Sequence, residues 1–118
     1  MEPRPRSDLE ERTLRFAREV RTFLRKLPRD IITREDVAQL VRSSGSIGAN
    51  YIEAQEALSK KDFGMRVKIC RKEAKESSYW LKLLGDVPDS LQHGHSHLLR
   101  ESYELTKIFS ATVEKVRT

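Results

Sequence analysis

Three histidines alternate with small residues in His93-Gly94-His95-Ser96-His97, and these are the side chains best suited to holding a metal. On a helix, His93 and His97 fall one turn apart and could share an ion. A structural or catalytic zinc site needs three or four protein ligands, and the one cysteine, Cys70, belongs to a different apolar stripe. The cluster therefore reads as surface histidines, and no metal or cofactor is expected. Cys70, near Val67 and Ile69, reads as a small buried hydrophobe rather than a reactive thiol. Glu73 and Glu76, with Arg66 on the same segment and Asn50 and Glu53 on the preceding one, resemble the paired carboxylates of acid–base catalysis. No nucleophile accompanies them and there is no glycine-rich phosphate loop. They suit a polar network that fixes helix register, and no catalytic residue is assigned.

Positive charge is the stronger signal. Residues 60–83 hold eight basic and three acidic side chains, residues 33–58 carry a net −2, and residues 1–28 a net +3. If 60–83 is a helix, Lys61, Lys68, Lys72 and Lys75 project together away from its apolar side, with Arg71 beside them. Such a ridge can neutralise phosphates and release condensed counterions, giving salt-sensitive, sequence-independent affinity. Lys61, Lys68, Arg71, Lys72 and Lys75 are accordingly the expected nucleic-acid-binding residues, against the plainer alternative of a solvated face. Only Tyr79 interleaves with the ridge, which gives base stacking weak support. Tyr79, Trp80, Phe63, Tyr103 and Phe109 read as packing groups.

Helices must position these groups. At 118 residues and a net charge of +5, with 37% hydrophobic and 35% charged side chains, the chain suits one all-α domain with heavily charged outer faces. Residues 1–6 read as a disordered basic lead-in, and 7–118 as the folded domain. Ser7 with Glu10 signals a capping box. It opens a helix whose apolar positions are Leu9, Phe16, Val20, Phe23, Leu24 and Leu27, stopped by Pro28. Thr33 with Asp36 opens a second helix ending near Leu58, with Val37, Leu40, Val41, Ser44, Gly48, Tyr51 and Ile52 facing inward. Ser59 with Asp62 opens a third, striped by Phe63, Val67, Cys70, Ala74, Ser77, Leu81 and Leu84, with Gly85 as its C-terminal cap. A fourth begins at Asp89 or Ser90 and buries Leu91, Leu98, Leu105, Phe109, Val113 and Val116. Short links between long helices predict an antiparallel up-and-down four-helix bundle.

The second helix carries Ser43, Ser44, Gly45, Ser46, Gly48 and Ala49 at its middle. Each glycine there costs about 1 kcal/mol against alanine, so close approach of another helix is the expected reason. Ser43, Ser46, Asn50, Glu53 and Ala57 are placed opposite the inward stripe. Ser43, Ser46, Asn50 and Glu53 are the expected oligomer interface.

Two blocks extend this reading. Ser46-Ile-Gly-Ala-Asn-Tyr-Ile-Glu53 resembles the Ser-Ile-x-x-Asn-x-x-Glu core of the small four-helix proteins known as 23S rRNA intervening-sequence proteins. Ser59-Lys-Lys-Asp-Phe63 and Lys72-Glu-Ala-Lys-Glu-Ser-Ser-Tyr-Trp-Leu81 are similar to that family's following helix. The resemblance covers about residues 8–117. It departs where Ala54 follows Glu53 in place of the glycine often found there. It implies a cyclic homo-oligomer, commonly a pentamer, with a basic surface and no known enzymatic chemistry. Structural relatives serve as accessory proteins of diversity-generating retroelements, so RNA, DNA or a reverse transcriptase are the partners implied.

Three functions remain on the sequence. The first is a nucleic-acid-binding or ribonucleoprotein accessory module, the second a scaffold for an acidic protein partner, and the third an enzyme working through Glu53, Glu73 and the histidines. The first is preferred. Cys70 can form no internal disulfide, and the N-terminus has no apolar leader, so a cytoplasmic setting with no membrane partner is expected.

Overall fold

The computed structural model describes the backbone of residues 5–117 and the side chains of residues 8–117. Four helices follow one another: α1 (Pro5–Leu24), α2 (Ile31–Gln55), α3 (Lys60–Leu83) and α4 (Gln92–Arg117), the last preceded by a 3-10 turn at Asp89–Leu91. Each packs against its neighbour in sequence, and α1 closes back on α4, giving the up-and-down bundle. α3 makes the most extensive contacts, with α2 on one side and α4 on the other.

Local chemistry sets the helix ends. The Asp30 side chain accepts from Thr33 N at 2.8 Å, from an extended N-cap conformation. The expected cap at Thr33 thus gives way to Asp30, three residues earlier, with Thr33 supplying the N–H. Ser59 caps α3 as expected, accepting from Asp62 N at 3.0 Å. Gly85 takes φ of 60°, where a Cβ would be strained, and reverses the chain after α3. Val87 then folds back into the core. The capping box expected at Ser7 does not start α1, because the helix already includes Pro5 and Arg6. Of the expected lead-in, residues 1–4 lie outside the described residues.

The core follows the sequence stripes on three helices. Phe16, Val20, Phe23 and Leu24 of α1 meet Val67, Cys70, Ala74 and Leu81 of α3 and Leu98, Leu105, Phe109 and Val113 of α4 in one cluster. The α2 face differs. Leu40, Ser43, Ser44, Ile47, Tyr51 and Ala54 are buried, whereas Ile52 is exposed. The inward stripe is thus rotated toward α3 from the expected one. Ser43 Oγ lies 2.9 Å from Ser77 Oγ, and Ser78 Oγ 2.7 Å from Ser102 Oγ, so paired hydroxyls satisfy each other inside the bundle.

The small residues of α2 serve contact within the chain. A Cβ added to Gly48 would fall 2.8 Å from Thr13 Oγ1, so α1 lies against the α2 backbone there. Gly45 faces the guanidinium of Arg21, which donates to the Val41 carbonyl at 3.2 Å and reaches Ser44 Oγ at 3.4 Å.

Candidate nucleic-acid interface

Because Val67, Cys70, Ala74, Ser77 and Leu81 fix the inner side of α3, helical geometry sends Lys61, Lys68, Lys72 and Lys75 to the outer side. All four are exposed, and Arg71 is half-buried beside them toward α4. Lys68, Arg71, Lys72, Lys75, Glu76 and Tyr79 line one shallow concavity. A second lies at the start of α3, lined by Lys60, Lys61, Gly64, Met65 and Lys68 with Val113, Val116 and Arg117 of α4. Lys68 belongs to both, so the two form a continuous cationic track. Arg117, at the far end of the chain, contributes to it only through the fold, which is why residue order alone missed it.

The five expected cations differ in their freedom. Lys61, Lys68, Arg71 and Lys75 make no ion pair with another described residue. Lys72 Nζ lies 3.6 Å from Glu73, whose side chain is only 6% exposed. The Glu73 carboxylate also takes Arg42 of α2 at 3.2 Å, and the same guanidinium reaches Glu76 at 2.9 Å. The hydrogen bond that Arg42 donates to Glu73 raises the Arg42 pKa above its ordinary value, outweighing the opposing effect of burial. Arg66 pairs with Glu53 at 2.8 Å. Glu73, Glu76, Arg66 and Glu53 thus form the expected register-fixing bridges between α2 and α3. Arg42, on the outer side of α2, is the partner the sequence reading overlooked.

Of the expected oligomer-interface residues, Ser46, Asn50 and Glu53 keep some exposure on one side of α2, and Ser43 does not. Ser43 is fully buried against Ser77, which corrects its placement. Ser46 donates to the Arg42 carbonyl, Asn50 to the Ser46 carbonyl, and Glu53 is held by Arg66. An outer groove lies on another side of α2, between α1 and α2. Leu14 and Ile52, each about half exposed, flank Ala17, Gly45, Gly48 and Ala49, with Arg18 and Glu10 at the rim.

The histidines separate. His95 Nε2 donates to the Leu81 carbonyl at 2.7 Å, satisfying an acceptor in the last turn of α3. His97 lies 3.1 Å from Glu19 of α1, and His93 is exposed. Among the described residues no group of three or more histidine, cysteine or acidic side chains could hold a metal ion. Burial pushes the Cys70 thiol up to about 12, as expected of a core residue. Two aromatic assignments need correction. Phe109 is buried, and Phe63 and Trp80 pack against the core, but Tyr79 and Tyr103 are 55% and 41% exposed. Tyr79 meets Trp80 edge-on at 5.1 Å between centroids, and Lys82 Nζ sits 5.8 Å from the Tyr103 ring.

No described helix is long and apolar enough to cross a membrane. The sequence model of the 23S rRNA-intervening sequence protein family matches residues 7–111. The fold is similar to a 1.70 Å crystal structure of a protein of unknown function, from the S23 ribosomal protein family, of Bacteroides thetaiotaomicron VPI-5482. That likeness has a TM-score of 0.76 and 26% identity, covering 92% of this chain and 97% of the other. No curated protein matches the chain.

Proposed function

The chain belongs to the 23S rRNA-intervening sequence protein family, and from that footing we propose that it binds nucleic acid through the outer face of α3, as an accessory subunit of a cytoplasmic ribonucleoprotein or retroelement complex. The observation that carries this reading is the set of four cations, Lys61, Lys68, Arg71 and Lys75, left without acidic partners along one helix face. Several arginines elsewhere in the bundle are paired with acids. Arg12 binds Glu101 bidentately at 2.7 and 2.9 Å, Arg66 binds Glu53, and Arg42 binds two glutamates. Unpaired like charges held together repel one another, and phosphates relieve that repulsion while releasing counterions.

Assembly into a homo-oligomer belongs to the same proposal, with the pentamer as the form the family resemblance implies. The groove of Leu14, Ala17, Ala49 and Ile52 supports it as the surface a second copy would cover. A symmetric ring would repeat the cationic face and strengthen a weak contact through avidity.

Fluorescence anisotropy with labelled RNA and DNA tests the binding. The triple variant Lys68→Glu, Arg71→Glu, Lys75→Glu should abolish affinity while circular dichroism shows an intact helical fold. Undiminished binding by that variant overturns the reading. No binding by the native protein, together with co-purification of an acidic protein, replaces it with the scaffold reading.

A further inference from the structure

The outer face of α3 is not uniformly cationic. Its stripe runs Lys61, Met65, Lys68, Lys72, Tyr79, Leu83, and Met65, Tyr79 and Leu83 are 54%, 55% and 47% exposed. Large apolar groups are therefore interspersed with cations along one line. At 1.5 Å per residue, the stretch from Lys61 to Tyr79 is about 27 Å long. The edge-on contact with Trp80 braces the Tyr79 ring at the end of the concavity that Lys68 and Lys75 line.

Resting on the nucleic-acid reading above, we infer that the track takes a single strand rather than a duplex, with a base stacked on Tyr79. Duplex bases are already stacked on each other and present no face to a tyrosine. A duplex would also lay its phosphates over Met65 and Leu83, stripping water from the phosphates with no hydrogen-bond partner in return. A single strand meets both kinds of group. Its phosphates pair with Lys61, Lys68 and Lys75, and its exposed bases cover the apolar side chains and stack on the aromatic ring, a combination indifferent to sequence. One flexible strand can follow the line of a helix, whereas a rigid duplex turns most of its charge away from it.

Anisotropy titrations with fluorescein-labelled oligouridylate, oligodeoxythymidylate and a hairpin duplex, at equal salt, test this. Both single strands should bind alike and about tenfold more tightly than the duplex, since neither stacking nor phosphate pairing reads the 2′-hydroxyl. Tyr79→Ala should weaken single-strand binding about tenfold and leave duplex affinity unchanged, and Tyr79→Phe should restore it. An abasic oligomer of the same length should bind the native protein at least as poorly as the oligodeoxythymidylate binds Tyr79→Ala. Equal affinity for duplex and single strand overturns the inference, as does Tyr79→Ala binding at the native level. Loss of binding in the triple charge-reversal variant in those same cases leaves the broader nucleic-acid reading standing. Failure of all three oligonucleotides to bind overturns both.

Discussion

Thr13 of α1 and Gly48 of α2 are in such close contact that a methyl group on the glycine would lie 2.8 Å from Thr13 Oγ1 and 3.3 Å from its Cβ. Thr13 is itself buried, with its hydroxyl donating to the Glu10 carbonyl at 2.9 Å, so it has little room to retreat. The helix-breaking tendency of the Ser-Gly-Ser-Ile-Gly-Ala segment is thus offset by backbone approach along the α1–α2 seam.

Gly48→Ala should therefore lower stability, by about 1–2 kcal/mol, because overpacking of about 1–3 kcal/mol outweighs the gain in helix propensity of about 1 kcal/mol. Gly45→Ala should cost less than Gly48→Ala, since its methyl meets a side-chain end, the Arg21 guanidinium at 3.2 Å, which can shift at the expense of its hydrogen bond to the Val41 carbonyl. Adding Thr13→Ala to Gly48→Ala should recover part of the loss. Urea denaturation of the three variants measures this. A stabilised Gly48→Ala would show that the two helices can part there without cost.

The buried pair of Ser43 and Ser77 gives a second expectation. Ser43→Ala alone strands the Ser77 hydroxyl, for which no other hydrogen-bond partner is found, and should cost about 1–2 kcal/mol. The double variant removes both hydroxyls and should recover most of that loss. A double-mutant cycle on thermal unfolding checks the coupling. Simple additivity would mean that the two hydroxyls do not depend on each other.

These serines also mark where the sequence stopped being legible. On α1, α3 and α4 charged and polar side chains take most solvent-facing positions, so the apolar stripes Phe16–Val20–Phe23, Val67–Ala74–Leu81 and Leu98–Leu105–Phe109 can be read directly. On α2, Gly45, Ala49 and Ile52 face outward while Ser43 and Ser44 face inward. Hydrophobic periodicity then has no contrast to work on, and the stripe was assigned to the wrong side of Ile47. Burial of Ser43 depends on a hydroxyl on another helix, a relation no local pattern encodes. The same holds at the candidate site. The α3 cations were visible from spacing alone, but Arg117 joins them through tertiary packing. Tyr79 is exposed where α2 and α4 leave α3 uncovered, and Tyr103 lies on the uncovered side of α4.

Cys70 should resist thiol reagents in the native protein at neutral pH and react fully in urea, because desolvation holds its pKa near 12. The sign of its linkage follows. The unfolded thiol ionises near about 8.5, so the unfolded chain releases a proton before the folded one does. The contribution to stability is therefore full below that pH and is lost as pH rises toward the folded value. Cys70→Ala should flatten that part of the profile of unfolding free energy against pH. Rapid labelling of the native protein would place the thiol outside the core.

The salt dependence of binding separates the cations that meet phosphate from those that do not. Each lysine that neutralises one phosphate of a single strand contributes about 0.7 to the slope of log affinity against log salt. Lys75, with no acidic neighbour in pairing range, should lower the slope by about that amount when changed to alanine. Lys72 already lies beside the buried Glu73 carboxylate at 3.6 Å, so part of its charge is spoken for, and Lys72→Ala should lower the slope less. Glu73→Gln should release Lys72 and restore its full share, making the Lys72→Ala effect as large as that of Lys75→Ala. Equal slopes for the two alanine variants in the native background would show that Glu73 does not compete with phosphate, and that Lys72 counts the same as Lys75.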